Sequence, residues 1–145
     1  MKEVGMLNRQ IDSALNRQGH MDLMIVADAG FPCPDHVELI DIALSEGAPS
    51  VPDVLAELRK VHSVEKIIIA RETADHNPSY FQKVSKAFGD DVEVQVITHA
   101  EFKERSHHVK TIVRTGDFTA WANVMLVSGA GDRWQLEISA SSSKS

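Results

Sequence analysis

Two continuous apolar runs, LMIVA (Leu23–Ala27) and KIIIA (66–70), predict buried strands. A third segment, VEVQVI (92–97), alternates apolar and polar residues, which is typical of a strand with at least one face in water. Two further strands are predicted at KTIVRTG (110–116) and NVMLV (123–127). Residues 37–44 fit either a short strand or an irregular edge.

Four helices are predicted between these strands, because capping residues, prolines and apolar spacing occur there together. Gly19 is expected to end the first helix and Gly89 the third. The helices begin at Asn8, at Ser50 with Pro52, at Asn77 with Pro78, and at Glu101. Two of them show a clear inner face, formed by Ile11, Ala14 and Leu15 in the first and by Val54, Leu55, Leu58 and Val61 in the second.

The alternation of strands and helices predicts the fold class. It favours an α/β fold, a single layered domain with a largely parallel central sheet flanked by helices. No internal repeat and no linker is apparent in the sequence. We therefore expect one domain over residues 1–128 and a C-terminal extension over 129–145, whose polar end SASSSKS is expected to be flexible.

Composition narrows the class of protein. The chain has 145 residues, of which 43% are hydrophobic and 25% charged, with a formal net charge of −6. An acidic chain without a basic cluster argues against nucleic acid or a membrane surface as a partner. Cys33 is the single cysteine, and no apolar stretch has the length of a membrane span or a signal peptide. We therefore expect a soluble, cytoplasmic protein.

Polar side chains follow several of the predicted strands. In an open parallel sheet, ligands bind beyond the carboxyl ends of the strands. Asp28 follows the first strand, Arg71 and Glu72 follow the second, and His99 follows the third. His20 is the exception, because it precedes its strand.

The spacing of His20 and Asp28 predicts oligomerisation if both serve one pocket. Asp28 lies eight positions after His20, and an extended chain of that length would separate them by about 26 Å. A hydrogen bond needs about 3 Å. Either the loop folds back strongly or a neighbouring subunit completes the pocket, and we favour the second interpretation.

Purely structural roles compete with each of these candidates. A histidine such as His20 after a helix-ending glycine is often a surface residue, Asp28 fits a turn or a helix cap, and His99 fits the cap of the next helix. The adjacent pair at residues 107–108 does not fit a metal site, because neighbouring side chains diverge and no third ligand is suitably spaced. Cys33 lacks a nucleophile signature, and no nucleotide-binding motif is present.

Six sequence blocks point further. They are GHMDLMIVADAGFPCP (19–34), LIDIALSEGAPS (39–50), HNP (76–78), THAEFK (98–103), IVRTGDFT (112–119) and WANVML (121–126). In this order the chain resembles the family of ribose pyranases and fucose mutarotases over about residues 4–128. The first two blocks are more similar to the ribose branch.

The resemblance implies an enzyme that interconverts the β-pyranose and β-furanose rings of D-ribose without a metal or other cofactor. It implies that His20 is the catalytic acid and that the sugar is bound by Asp28, His99, Trp121, Ala122 and Asn123. It also implies a homo-oligomer, a ring-shaped decamer with its sites at subunit interfaces. A monosaccharide, most simply D-ribose, would be the partner.

The chain departs from the family pattern at Trp121, where the family has tyrosine, and at Ala120, where proline is usual. An indole N–H only donates a hydrogen bond, whereas a phenol also accepts one. Two alternatives therefore stay open: a mutarotase for another sugar such as L-fucose, and a non-catalytic sugar-binding accessory of a transport system.

Overall fold

A computed structural model describes residues 1–131 and 133–137. The helices are α1 (Arg9–Asn16), α2 (Val51–Arg59), α3 (Arg71–His76), α4 (Pro78–Ser85) and α5 (His99–Arg105), followed by a 3₁₀ turn at Ser106–His108. The strands are β1 (Leu23–Ala27), β2 (Glu38–Asp41), β3 (Val64–Ala70), β4 (Glu93–Ile97), β5 (Thr111–Arg114) and β6 (Val124–Ser128).

The strands form one sheet in the order β2-β5-β1-β6-β3-β4. The pairs β2–β5, β5–β1 and β3–β4 are parallel, while β6 runs antiparallel to both of its neighbours. The predicted α/β domain with a largely parallel sheet is confirmed. Because β6 runs against the others, its first residues lie at the edge where β1 and β3 end.

Apolar side chains cover both faces of the sheet. One cluster joins the sheet to α1, α2 and α4, and it includes Leu55, Leu58 and Val84. The other joins the opposite face to α5 through Phe102. Helices therefore flank the sheet on both sides, as the alternating sequence predicts.

Two predicted helix starts are confirmed in detail. The Asn8 side chain accepts a hydrogen bond from the Ile11 N–H at 2.9 Å. Ser50 and Asp53 form a reciprocal capping box at the start of α2. These caps satisfy backbone donors that a helix leaves unpaired at its first turn.

Other predicted boundaries are wrong. α1 ends at Asn16, before Gly19, whose N–H instead donates to the Asp22 carboxylate at 2.7 Å. α4 ends at Ser85, although Gly89 has the positive φ of +97° that favours glycine. α5 begins at His99 rather than Glu101, because Thr98 caps it.

The remaining differences concern one side chain and one helix. Val61 does not continue the buried face of α2, since it follows the helix and is exposed. α3 was not predicted, because its short polar sequence RETADH gives no apolar periodicity.

The extension leaves the sheet after β6. Its Trp134 indole N–H donates to the Ser63 hydroxyl at 3.3 Å, while the Trp134 and Leu136 side chains are exposed. The predicted flexible end, residues 139–145, lies outside the described residues. Within residues 1–131 and 133–137, no helix is long and apolar enough to cross a membrane.

Candidate functional site

Asp28 and Asn123 meet where β1 ends and β6 begins. The Asp28 backbone N–H donates to the Asn123 side-chain oxygen at 2.8 Å. Asn123 is buried, and its place beside Asp28 follows from the antiparallel course of β6. The two residues are 95 positions apart in the chain, so sequence order alone gives no indication of this contact.

An open pocket of about 420 Å³ adjoins Asp28. This volume is typical of a site for a small molecule. Arg114 forms part of the wall and is fixed there, because its Nε donates to the Ala29 carbonyl at 3.0 Å and its Nη1 contacts both Asp41 oxygens at 3.0 Å. The pocket is lined by Asp28, Ala29, Gly30, Arg114, Asp117, Phe118, Thr119 and Ala120.

Burial raises the pKa of the Asp28 carboxyl above its ordinary value. The backbone N–H groups of Gly30, Ala122 and Phe31 face the carboxylate and oppose this rise, while the nearby Asp117 charge adds to it. A partly buried carboxylate ringed by backbone donors and facing a pocket can accept hydrogen bonds from the hydroxyls of a ligand.

The raised pKa of Asp28 predicts that Asp28→Asn stabilises the fold at neutral pH. Protonation of Asp28 favours the folded state; that contribution is complete below the unfolded pKa near 3.8 and is lost as pH rises through the higher folded value. Asparagine is neutral throughout. The free energy of unfolding, measured with urea, should therefore exceed that of the wild type at pH 7, and the difference should shrink toward pH 3.

The matched control for this experiment is Asp35→Asn, which neutralises an exposed loop carboxylate. It should leave the free energy of unfolding nearly unchanged at pH 7. A less stable Asp28→Asn variant at pH 7 would show that Asp28 stabilises the fold through its charge, contrary to the prediction.

Asp117 also lines the open pocket, although it was not among the site residues predicted from the sequence. One carboxylate oxygen accepts from the Val51 N–H at 2.9 Å, at the start of α2, and the other accepts from the Thr119 N–H at 2.8 Å. Its carbonyl accepts from the Ala29 N–H at 2.9 Å. Asp117 lies in the quoted block IVRTGDFT, but nothing in the chain order indicates that it reaches α2.

Trp121 and Ala122 lie beside Asn123 and do not line the open pocket. The Trp121 ring stacks on His76 with 4.7 Å between the ring centroids. Ala122 is fully buried, and its carbonyl accepts from the Tyr80 hydroxyl at 2.6 Å. Asn77 occupies the predicted N-cap position of α4 but makes no side-chain capping bond there; its side chain donates to the Ala120 carbonyl at 2.7 Å.

His99 also lies at this edge of the sheet but outside the pocket lining. Its backbone N–H donates to the Glu72 carboxylate at 3.0 Å. Its ring is 6.4 Å from the ring of Phe31 and 6.5 Å from that of Phe102, between centroids. Phe31 follows Asp28 in the same loop and thus connects the two candidate residues.

His20 lies at the opposite end of β1. Its ring is largely exposed, and Nε2 is 3.6 Å from a Glu65 oxygen. The full length of β1, about 16 Å for a strand of this size, lies between His20 and Asp28. One chain therefore does not bring the two residues together, and a shared site requires a second copy.

The remaining candidates are the histidine pair at residues 107–108 and Cys33. In the described part of the chain, no group of three or more His, Cys, Asp or Glu side chains is placed to hold a metal ion. The His107 ring stacks on His36. Cys33 is half-buried, and its thiol faces the carbonyls of Pro34 and Val37.

Comparisons with known proteins agree with the resemblance seen in the sequence. D-ribose pyranase of Halalkalibacterium halodurans is 39% identical over 129 residues, which are 89% of this chain and 98% of that protein. The structure of Bacillus subtilis RbsD complexed with D-ribose is 37% identical, with a TM-score of 0.85 over 90% of this chain and 99% of the other. A fucose mutarotase of Streptococcus pneumoniae in complex with L-fucose is 20% identical, with a TM-score of 0.72 over 90% of this chain and 99% of the other, which shows the fold alone. Residues 1–131 match the RbsD / FucU transport protein family, and the chain belongs to that family.

Proposed function

We propose that this protein is a D-ribose pyranase, an isomerase that interconverts β-D-ribopyranose and β-D-ribofuranose and supports ribose uptake and use. The observation that carries this proposal is the likeness to RbsD with bound D-ribose, at 37% identity over 90% of the chain. Identity to the fucose mutarotase is 20%, which favours ribose over fucose.

The reaction needs only proton transfers. Opening a cyclic hemiacetal removes a proton from the anomeric hydroxyl and gives one to the ring oxygen, and closure onto another hydroxyl reverses both transfers. An imidazole with an ordinary pKa near 6.5 can do either at neutral pH. We assign the protonation of the ring oxygen to His20, and no cofactor is required for this chemistry.

The sugar-binding role falls to the residues at the opposite edge of the sheet. Asp28 presents a carboxylate to the open pocket, and Asn123 lies next to it. The Asn123 amide can both donate to and accept from sugar hydroxyls. His99, Trp121 and Ala122 lie at the same edge of the sheet, outside the lining of the open pocket, and complete the proposed set. The face of the Trp121 indole that does not stack on His76 would contact the sugar.

Oligomerisation would complete the site. His20 and Asp28 lie at opposite ends of β1, so each site would take His20 from one subunit and the sugar-binding residues from another. Such a head-to-tail contact generates a closed ring when its rotation closes, but it does not fix the number of subunits. The number ten is what the family resemblance implies, and on that ground we propose a ring-shaped homodecamer. We place the protein in the cytoplasm, since its single cysteine suits a reducing compartment.

Saturation-transfer NMR on D-ribose tests the activity directly. Catalytic amounts of the protein should speed exchange between the pyranose and furanose signals, and L-fucose and other pentoses should respond less. Faster exchange for fucose alone would favour the mutarotase alternative. A ribose-dependent thermal shift without faster exchange would favour the non-catalytic accessory.

A further inference from the structure

Three successive carbonyls of the site segment 120–123 are each held by a different side chain. The donors come from α3, from the residue between α3 and α4, and from the first turn of α4. The hydrogen bonds run from Asn77 Nδ2 to the Ala120 oxygen at 2.7 Å, from Thr73 Oγ1 to the Trp121 oxygen at 2.6 Å, and from the Tyr80 hydroxyl to the Ala122 oxygen at 2.6 Å.

The segment needs this support because its backbone is strained. Trp121 has a φ of 55°, a left-handed conformation that is disfavoured for any residue with a Cβ and most of all for a bulky one. Such a conformation persists only where the surrounding structure holds it. The His76 ring, which belongs to α3, stacks on the Trp121 indole and adds a fourth contact to the three hydrogen bonds.

The held segment acts on Asp28. The Ala122 N–H faces the Asp28 carboxylate, and the Asn123 side-chain oxygen accepts from the Asp28 backbone N–H. The Ala122 peptide is therefore held by Tyr80 on its carbonyl side and followed by the residue that binds Asp28. Movement of the segment would move both groups that surround Asp28.

We propose that Thr73, Asn77 and Tyr80 are positioning residues for the sugar site: they fix segment 120–123 in the strained conformation that aims Ala122 and Asn123 at Asp28. This inference rests on the proposed sugar-binding role of that segment. Tyr80 is central, because it packs partly buried against the core and its hydroxyl donates to the carbonyl of Ala122, whose N–H faces the Asp28 carboxylate. Burial, together with the charges of Asp117 and Asp28, raises the pKa of Tyr80, so its hydroxyl stays a donor.

Tyr80→Phe removes only the hydroxyl oxygen and leaves the ring in the core. We expect the KM for ribose exchange to rise and kcat/KM to fall about 10–100-fold, since small misplacements in a site have effects of this size. Exchange rates measured by NMR over a range of ribose concentrations separate KM from kcat. A residue that only supported the fold would lower the amount of active protein and leave KM unchanged.

Trp121 provides a readout that does not depend on activity. In a Trp134→Phe background, Trp121 is the only indole. Tyr80→Phe should shift its emission to longer wavelength and increase its quenching by acrylamide, because the released segment exposes the ring. This measurement separates the positioning role of Tyr80 from the proposed pyranase activity. The shift in Trp121 emission is expected even if the wild type fails to accelerate ribose exchange.

Two further comparisons keep the test decisive if Tyr80→Phe folds poorly. Thr73→Val removes the hydrogen bond to the Trp121 carbonyl and should raise KM. Thr73→Ser keeps the hydroxyl, so its KM should stay near that of the wild type. Ser106→Ala is the matched control, because it removes a buried hydroxyl that donates to the Lys103 carbonyl away from the segment. Unchanged KM and unchanged Trp121 emission in both Tyr80→Phe and Thr73→Val would overturn the inference.

Discussion

Replacing His20 with alanine is expected to slow the exchange of ribose rings about 10²–10⁴-fold, the usual contribution of one positioned acid–base group. The side chain is largely exposed, and its contact to Glu65 is long at 3.6 Å. Its loss should therefore leave the fold and its thermal unfolding nearly unchanged. Saturation-transfer NMR gives the rate. His108→Ala, which removes an exposed histidine outside the proposed site, serves as the control.

The opposite placement of His20 and Asp28 makes a sharper form of this experiment possible. If each site combines residues of two subunits, mixing inactive His20→Ala and Asp28→Ala proteins and allowing their subunits to exchange should recover activity. Random assembly of equal amounts would restore about a quarter of the sites. Each site then has an even chance of receiving an intact His20 and, independently, an even chance of receiving an intact Asp28.

Two outcomes of the mixing experiment would contradict the shared site. If mass spectrometry shows mixed oligomers but no activity is recovered, His20 and Asp28 act in the same subunit or in different sites. An active His20→Ala protein would remove the imidazole from the mechanism altogether. The His108→Ala control must keep its activity, because only then can a loss in the His20→Ala protein be attributed to the site.

The secondary structure was largely predictable because its signals are local. Runs such as Leu23–Ala27 became strands with the predicted bounds, and caps such as Ser50 formed as expected. The errors fall where local signals compete with tertiary contacts. Gly19 does not end α1, and Asn77, which occupies the predicted N-cap position of α4, gives its amide to the Ala120 carbonyl and makes no side-chain capping bond. Sequence patterns do not encode such distant partners.

The sequence offers most of the candidate site residues, although not Asp117, but it does not give their arrangement. Position after a strand identified Asp28 and His99, and the family blocks identified His20 and Asn123. The contact between Asp28 and Asn123 depends on the antiparallel direction of β6, which the apolar run of that strand does not reveal. The spacing of His20 did predict that one chain holds it away from Asp28.

Gly116 is the position where a single methyl group is expected to harm the fold most. A Cβ at Gly116 would lie 2.1 Å from the Ser45 carbonyl oxygen and 3.2 Å from that of Ala48. These are backbone atoms, which a side-chain rotation cannot move away. The same glycine donates to the Pro49 carbonyl at 2.9 Å and accepts from the Gly47 N–H at 2.6 Å, so the two loops must separate to admit the methyl group.

Gly116→Ala is therefore expected to lower the free energy of unfolding by about 2–4 kcal/mol, combining overpacking with the loss of buried hydrogen bonds. The displaced loop carries Asp117, whose carboxylate holds the start of α2 through the Val51 N–H. Because Asp117 also lines the open pocket, ribose binding should weaken in the fraction that still folds. Urea unfolding measures the first effect and calorimetric titration with ribose the second.

Gly131→Ala is the matched control, since the nearest atoms to its Cβ are Ser63 side-chain atoms at 3.7 and 3.8 Å, an ordinary contact distance. It should change the free energy of unfolding by less than about 0.5 kcal/mol. Equal stabilities of the two variants would mean that the loop containing Ser45 yields easily. In that case Asp117 would not depend on Gly116 for its place at the start of α2, and the close approach of the two loops would not shape the pocket.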